Sequence, residues 1–114
     1  MKREFIDWPQ FEKLVKDGSI TDLELKQIQN DIMAGGGATI RDTGGVKKIR
    51  SAARDGGKRG EWRVIFADYP RFAVTVLIVA CKKVDREDLT PNEKKTIRAL
   101  KKELDEIINE MYGN

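Results

Sequence analysis

Positive charge is concentrated between residues 41 and 63 of this 114-residue sequence, where glycines separate two short segments rich in β-forming residues. The stretch contains eight Lys/Arg and three Asp/Glu, whereas residues 1–40 and 84–114 each carry a net charge of −2. Scattered lysines contribute mainly to solubility, but cations gathered in one segment are the electrostatic pattern expected of a phosphate-binding face.

The segment Val46-Lys47-Lys48-Ile49-Arg50 predicts a strand that carries cations on one face. Because side chains alternate across a strand, Lys48 and Arg50 leave one face together while Ile49 leaves the other. Their mutual repulsion costs free energy unless the cations are solvated or bind an anion. An edge strand kept soluble by charge is the alternative interpretation. On the next predicted strand, Arg63 leaves the face opposite to the one shared by Trp62, Val64 and Phe66, which is also compatible with an ordinary rim arginine.

The loop between these strands is rich in glycine and cations, with the sequence RDGGKRG at residues 54–60. Glycines allow backbone N–H groups to approach phosphates closely, although a flexible surface loop is equally compatible with this composition. The loop does not match the GxxxxGK[ST] pattern of nucleoside triphosphate-binding loops. At the end of the third predicted strand two further cations follow in succession, Lys82 and Lys83, for which a solvated strand end is the alternative.

The residue types exclude several kinds of chemistry. The sequence has no histidine and one cysteine, so it has neither an internal disulfide nor a common zinc-finger ligand set. We expect no metal site and no cofactor, because the acidic residues Asp85, Glu87 and Asp88 precede a predicted helix, whose N-terminus they favour. Cys81 ends an apolar segment and is expected to be buried and inert.

Two short helices are predicted before the cationic segment. Arg3–Ile6 is compatible with a strand, after which Asp7 is expected to cap a helix that has Pro9 in its first turn and ends at Gly18. Thr21-Asp22-Leu23-Glu24 is a capping-box pattern that starts a second helix, which ends before Gly35. We expect the two helices to pack as an antiparallel pair.

Three strands and a long helix are predicted for the rest of the chain. Residues 46–50, 62–66 and 73–80 predict an antiparallel meander with a turn at 68–71, and the third strand, apolar throughout, predicts a central position covered on both faces. A second capping box at Thr90 begins the C-terminal helix. The prediction is a single α/β (α+β) domain over residues 1–114, with a helix pair, an antiparallel sheet of three to four strands and a C-terminal helix. The longest apolar run, FAVTVLIVAC, has ten residues, so no membrane helix is expected, and a reducing, cytoplasmic location fits the single cysteine.

Three motifs in order, TGGVKKIR, GGKRGEWRVIF and ACKKVDREDLTPNEKKTI, cover most of residues 42–97. Together they resemble the RelE/HigB toxins of bacterial type II toxin–antitoxin systems, in the HigB-like branch of the RelE/ParE superfamily. That branch has approximately the patterns TGGxRKxR, GxGKRGGxRVIYY and xxKNExxDLTxxEKK. This sequence departs from them at Glu61, Cys81 and Lys83, and Leu89 stands where some RelE-type enzymes have a base-stacking tyrosine.

The resemblance implies a toxin with a RelE-like fold that cleaves mRNA on the ribosome and is neutralised by a cognate antitoxin, expected to be a helix-turn-helix protein. The residues matched by motif, together with the neighbouring cations Lys47 and Arg54 of the same basic segment, form two groups of predicted functional residues. The predicted catalytic residues are Arg50, Arg63, Lys82 and Lys83, and the predicted RNA- and ribosome-binding residues are Lys47, Lys48, Arg54, Lys58 and Arg59.

The residue types available are suited to RNA cleavage by the neighbouring 2′-hydroxyl. A lysine among other cations loses its proton more readily and can act as a base, while arginine stays charged and stabilises the pentacoordinate phosphate. Two alternatives remain open at this stage: a ParE-like, non-catalytic inhibitor of DNA gyrase, and a non-catalytic RNA-binding module.

Overall fold

The computed structural model describes residues 2–51, 61–82 and 89–113, and its order of elements confirms the predicted α+β class. A short strand and two helices precede four further strands and a long C-terminal helix. The elements are β1 (Glu4–Asp7), α1 (Pro9–Lys16), α2 (Asp22–Met33), β2 (Ala38–Thr39), β3 (Lys47–Ser51), β4 (Trp62–Tyr69), β5 (Val74–Cys81) and α3 (Pro91–Tyr112). None of the helices in these ranges is long and apolar enough to cross a membrane.

The five strands form one sheet in the order β1-β5-β4-β3-β2. The predicted meander β3-β4-β5 is antiparallel, and β2 continues it on one side, while β1 pairs with β5 in parallel on the other. The prediction of three to four strands missed β2, because a two-residue strand is too short to show an alternating pattern. A one-residue irregularity in the β4–β5 pairing lies between Ile65 and Phe66.

The sheet is covered on both faces, which we call the helix-pair face and the α3 face. On the helix-pair face, Phe11, Ile28 and Ile32 pack with Trp62, Val64, Phe66 and Leu77. On the α3 face, Leu104 and Ile108 pack with Ala67 and with the β5 residues Val74, Val76 and Ile78. Strand β5 therefore contributes to both cores, as its unbroken apolar sequence predicted.

The N-terminal caps of two of the three helices are those predicted from the sequence. Thr21 Oγ1 accepts from the Glu24 backbone N–H at 3.1 Å, and Thr90 Oγ1 accepts from the Glu93 backbone N–H at 3.1 Å. In both pairs the glutamate carboxylate accepts a hydrogen bond from the threonine backbone N–H. Pro9 begins α1 as predicted, but Asp7 does not cap it. Asp7 is the last residue of β1 and pairs with Leu77, which leaves Trp8 at the cap position without a side-chain hydrogen bond to the helix.

The turn between β4 and β5 comes later than predicted. Strand β4 continues through Tyr69, and the chain reverses in a short 3₁₀ turn over Pro70–Phe72. Ala73 then adopts a left-handed conformation with φ 56° before β5 begins. The proline fixes the start of this turn, because its ring restricts φ to values that suit a first turn position.

Candidate nucleic-acid interface

Arg50 and Arg63 lie directly opposite each other on the paired strands β3 and β4. Their neighbours establish which face they share: Ile49 and Trp62 are buried in the core on the helix-pair face, so Arg50 and Arg63 project from the α3 face. Lys48 lies on the same face, opposite Ile65, which packs against the α3 core. The predicted common face of Lys48 and Arg50, and the opposite phase of Arg63 to Trp62, are both confirmed.

The arginine pair places like charges side by side. Directly opposite residues in an antiparallel pair have Cβ atoms about 5 Å apart, where like charges are destabilising. Arg50 is exposed and Arg63 is half-buried, and the Arg63 Nε atom is buried without an acceptor among the described residues. A buried N–H without an acceptor costs free energy, which adds to the repulsion between the two arginines. The pair is therefore suited to bind an anion with several oxygen atoms, such as phosphate.

Within the described ranges, strand β3 has a free edge at Arg50. Strand β2 pairs only with Lys47 and Lys48, so within the described residues Ile49–Ser51 have a strand partner on one side alone. The predicted edge-strand interpretation is thus correct for this end of β3, but it does not account for Arg63, which lies on the inner strand β4. An inner-strand arginine beside a second arginine requires a different explanation from solubility.

Cys81, on β5, pairs with Arg63 on β4 and so completes a row of three residues across the sheet. It is exposed, which contradicts the expectation of a buried residue. The apolar surface under α3 ends one row earlier, at the cross-strand pair Ile65 and Val79. The row Arg50-Arg63-Cys81 therefore lies beyond the α3 core, where the α3 face becomes polar.

Lys82 lies on the other face of the sheet. Its Nζ atom is 5.2 Å from the centre of the Trp62 ring, a cation–π contact, and Trp62 belongs to the core on the helix-pair face. The Trp62 side chain is 5% exposed, and its Nε1 atom has no hydrogen-bond acceptor in the described part of the chain. The structure therefore does not bring Lys82 together with Arg50 and Arg63, although all three lie at the same end of the sheet.

The remaining predicted site residues fall into two groups. Lys47 is half-buried and alternates with Lys48, so it projects from the helix-pair face. Four predicted residues lie outside the described ranges: Arg54, Lys58, Arg59 and Lys83. The first three belong to the segment that follows Ser51, and Ser51 pairs with Trp62, the residue next to Arg63.

Two supporting features were not anticipated from the sequence. Ser51, 2% exposed, donates through its hydroxyl to Asp31 Oδ2 at 2.8 Å, and Asp31 Oδ1 accepts from Gln27 Nε2 at 2.6 Å. Helix α2 thus holds the end of β3 next to Arg50. No local signal relates Asp31 to Ser51, since twenty residues separate them. Leu89, the residue that replaces a base-stacking tyrosine, is half-buried against the α3 core.

The Thr-Gly-Gly part of the first motif has a structural role. Thr43 is fully buried; its hydroxyl donates to the Ile40 carbonyl at 2.7 Å and accepts from the Val46 N–H at 3.2 Å. Gly44 and Gly45 have φ values of 78° and 107°, which glycine adopts without strain. This turn fixes the start of β3, so the motif supports the arginine pair without contributing to its charge.

The fold and this surface define a small α+β protein with a cross-strand arginine pair, suited to bind an anion, at one end of its sheet. A family model described as "RelE toxin of RelE / RelB toxin-antitoxin system" matches residues 6–112. The chain belongs to this family of toxins, which implies a RelB-type antitoxin as its partner. Membership of the HigB-like branch stays a prediction.

Proposed function

We propose that this toxin is a ribosome-dependent endoribonuclease that cleaves mRNA in the decoding site and so inhibits translation. The observation that carries the proposal is the cross-strand pair Arg50 and Arg63, with a buried Arg63 Nε that has no acceptor among the described residues. RelE-family toxins are typically enzymes of this kind, which supports the same assignment.

The chemistry that suits these residues is attack of a ribose 2′-hydroxyl on the adjacent phosphate. A base removes the 2′-hydroxyl proton as the new O–P bond forms, and the bond to the 5′-oxygen of the next nucleotide breaks as that oxygen gains a proton. The products are a 2′,3′-cyclic phosphate and a 5′-hydroxyl. Arg50 and Arg63 would stabilise the negative charge that develops on the pentacoordinate phosphate, because both guanidinium groups stay ionised and start from strands.

The other predicted residues have roles that stay predictions. Lys82 and Lys83 are the candidates for proton transfer, and Lys82 would have to approach the phosphate from the Trp62 side of the strand end. The predicted RNA- and ribosome-binding cations are Lys47, Lys48, Arg54, Lys58 and Arg59. Of these, Lys48 shares the face of the arginine pair. A cytoplasmic location follows from the proposed substrate, because translating ribosomes are found there.

An antitoxin is expected to act on the same charged surface. The face that holds Lys48, Arg50 and Arg63 would attract an acidic or extended segment of the RelB-type partner. Such a segment would cover the arginine pair, whereas an antitoxin bound elsewhere would prevent entry into the ribosome sterically. Chemical modification of arginine in the complex distinguishes these cases, because only the first protects Arg50 and Arg63.

Expression of the toxin without its antitoxin tests the proposed function. We expect growth arrest together with new 5′ ends inside translated messages, and cleavage by the purified protein only when mRNA is on programmed ribosomes. Arrested cells with intact messages would overturn the proposal. Intact messages with an induced DNA-damage response would instead indicate a gyrase inhibitor, and ribosome or RNA binding without either effect would indicate a binding module.

A further inference from the structure

The C-terminal helix α3 has its charges divided between its two halves. Residues 94–102 include five cations and no acid, whereas residues 103–110 include four acids and no cation. A helix is stabilised by acids near its N-terminus and by cations near its C-terminus, so both halves have the less favourable sign. Helix stability therefore does not explain this arrangement.

Three of the five cations form one exposed face. Lys95, Arg98 and Lys102 are spaced three and four residues apart, which places them on one side of the helix. All three are exposed, and none has a salt bridge to a carboxylate in the described ranges. Among the described residues, Arg98 donates only to the backbone carbonyl of Asp42, at 3.4 Å. We call these three residues the α3 cationic face.

Lys101, in the same helix, has contacts that stabilise the fold. Its Nζ atom is 2.6 Å from Asp105 Oδ1 and 5.2 Å from the centre of the Tyr69 ring, and its side chain is 13% exposed. Tyr69 also donates to Asp105, at 2.8 Å. Lys101 therefore helps to attach α3 to β4. In the described part of the chain, Lys95 and Lys102 have no ion pair or ring contact of this kind, and Arg98 has only its bond to the Asp42 carbonyl.

Helix α3, which carries the cationic face, packs on the face of the sheet from which Arg50 and Arg63 project. The C-terminal end of α3 contacts the far end of the sheet, where Tyr112 stacks on Phe72, and Lys101 and Asp105 reach Tyr69. The basic half precedes these contacts along α3, and Arg98 reaches the turn that precedes β3, at the end of β3 away from Arg50. Helix and arginine pair thus present cations on the same face of the sheet.

We propose that the α3 cationic face binds the phosphate backbone of ribosomal RNA and so docks the toxin with its arginine pair on the mRNA. The ligand rests on the proposed function above, since it assumes that the ribosome is the place of action. Lys95 and Lys102 are about 10 Å apart along a rigid helix axis, so the face can contact more than one phosphate at a fixed spacing. It contributes affinity and takes no part in the chemical step.

A matched pair of triple variants tests this docking surface. One variant is Lys95→Gln, Arg98→Gln and Lys102→Gln; the control is Lys13→Gln, Lys16→Gln and Lys26→Gln, three exposed lysines of α1 and α2. Both lower the net charge by three. We expect the first variant to bind ribosomes tenfold or more weakly at 0.1 M salt, and to reduce the slope of log affinity against log salt concentration by about 2, as expected for three lost phosphate contacts. The control should keep the wild-type slope.

Further measurements separate docking from folding and from catalysis. The first variant should keep a thermal midpoint at or above that of the wild type, since it removes cations from the N-terminal half of a helix. Its single-turnover cleavage rate on saturating ribosomes should equal that of the wild type, with only the concentration dependence shifted.

Three outcomes would overturn the docking proposal. The first is an equal salt slope for the two triple variants. The second is weaker binding of the first variant to poly-glutamate, an acidic polypeptide, with unchanged binding to ribosomes. The third is a larger loss of its affinity for duplex DNA than of its affinity for ribosomes. Wild-type protein that binds ribosomes through this face without cutting mRNA would instead overturn the proposed function and support the docking surface.

Discussion

The two ends of the sheet each hold a partly buried arginine, and the two arginines have opposite surroundings. At one end, Arg3 forms an ion pair with Asp68 and donates to Thr75 Oγ1 at 3.0 Å, while Thr75 donates to Asp68 at 2.7 Å. At the other end, Arg63 faces Arg50 across the strands, and its Nε has no acceptor among the described residues. One guanidinium is neutralised by a carboxylate, and the other has no such partner among the described residues.

This difference distinguishes an arginine that stabilises the fold from one that is available to a ligand. Arg3 lies just before β1, so its contacts with Asp68 and Thr75 connect the outermost strand to the two central ones. Within the described ranges Arg63 makes no comparable connection, and its cross-strand neighbour Arg50 repels it. Substitutions at the two ends should therefore affect different properties, stability at the Arg3 end and cleavage at the Arg63 end.

The largest effect is expected for Arg63→Ala. Cleavage on programmed ribosomes should fall by about 100-fold or more, the scale of removing one preorganised charge donor, equivalent to about 2.7 kcal/mol in the barrier. The free energy of unfolding should change by no more than about 1 kcal/mol, because a repulsive pair is removed. Single-turnover rates at saturating ribosomes and urea unfolding measure the two quantities.

Arg71→Ala is the matched control for Arg63→Ala. Arg71 is an exposed arginine in the turn between β4 and β5, with its guanidinium 5.1 Å from the centre of the Phe72 ring, so the same charge is removed at the opposite end of the sheet. The Arg71→Ala variant should cleave mRNA at close to the wild-type rate. Normal cleavage by ribosome-bound Arg63→Ala would end the distinction between the two arginines and contradict a catalytic role for the pair.

The next largest effect is expected for Asp68→Asn, which should lower the free energy of unfolding. Removing the carboxylate leaves the Arg3 guanidinium without its counter-charge, and we expect a loss of about 2 kcal/mol in the free energy of unfolding, with an unchanged cleavage rate per folded molecule. Glu12→Gln is the control, because its ion pair with Lys16 spans 3.8 Å between exposed side chains and should contribute less than about 0.5 kcal/mol. Equal unfolding free energies for the two variants would show that the Arg3 cluster is no more structural than a surface pair.

The smallest effect is expected for Lys82→Gln. This variant tests whether cleavage depends on both faces of the sheet at the end that holds Arg50 and Arg63. Lys82 packs on the Trp62 ring, on the face opposite to Arg50 and Arg63. Its removal should lower single-turnover cleavage by less than about tenfold, below the effect of a directly placed donor. A loss as large as that of Arg63→Ala, with a changed pH–rate profile, would instead identify Lys82, predicted from the sequence as catalytic, as the proton-transfer residue.

Local interactions made part of the structure predictable. The capping boxes at Thr21 and Thr90 depend on bonds between residues three apart, and the common face of Lys48 and Arg50 depends on the two-residue period of a strand. The central position of β5 follows from its apolar sequence, because only a strand covered on both faces tolerates it. The fold class and the basic segment were therefore evident from the sequence.

The tertiary structure decided what lies next to what, because those contacts join residues far apart in the chain. The register of β3 against β4 makes Arg50 and Arg63 neighbours, and the end of β5 leaves Cys81 exposed beside them. The same pairing places Lys82 on Trp62 and away from the arginines, which motif order alone could not indicate. Register depends on how whole strands pack against both cores, and a one-residue shift would move every side chain to the other face.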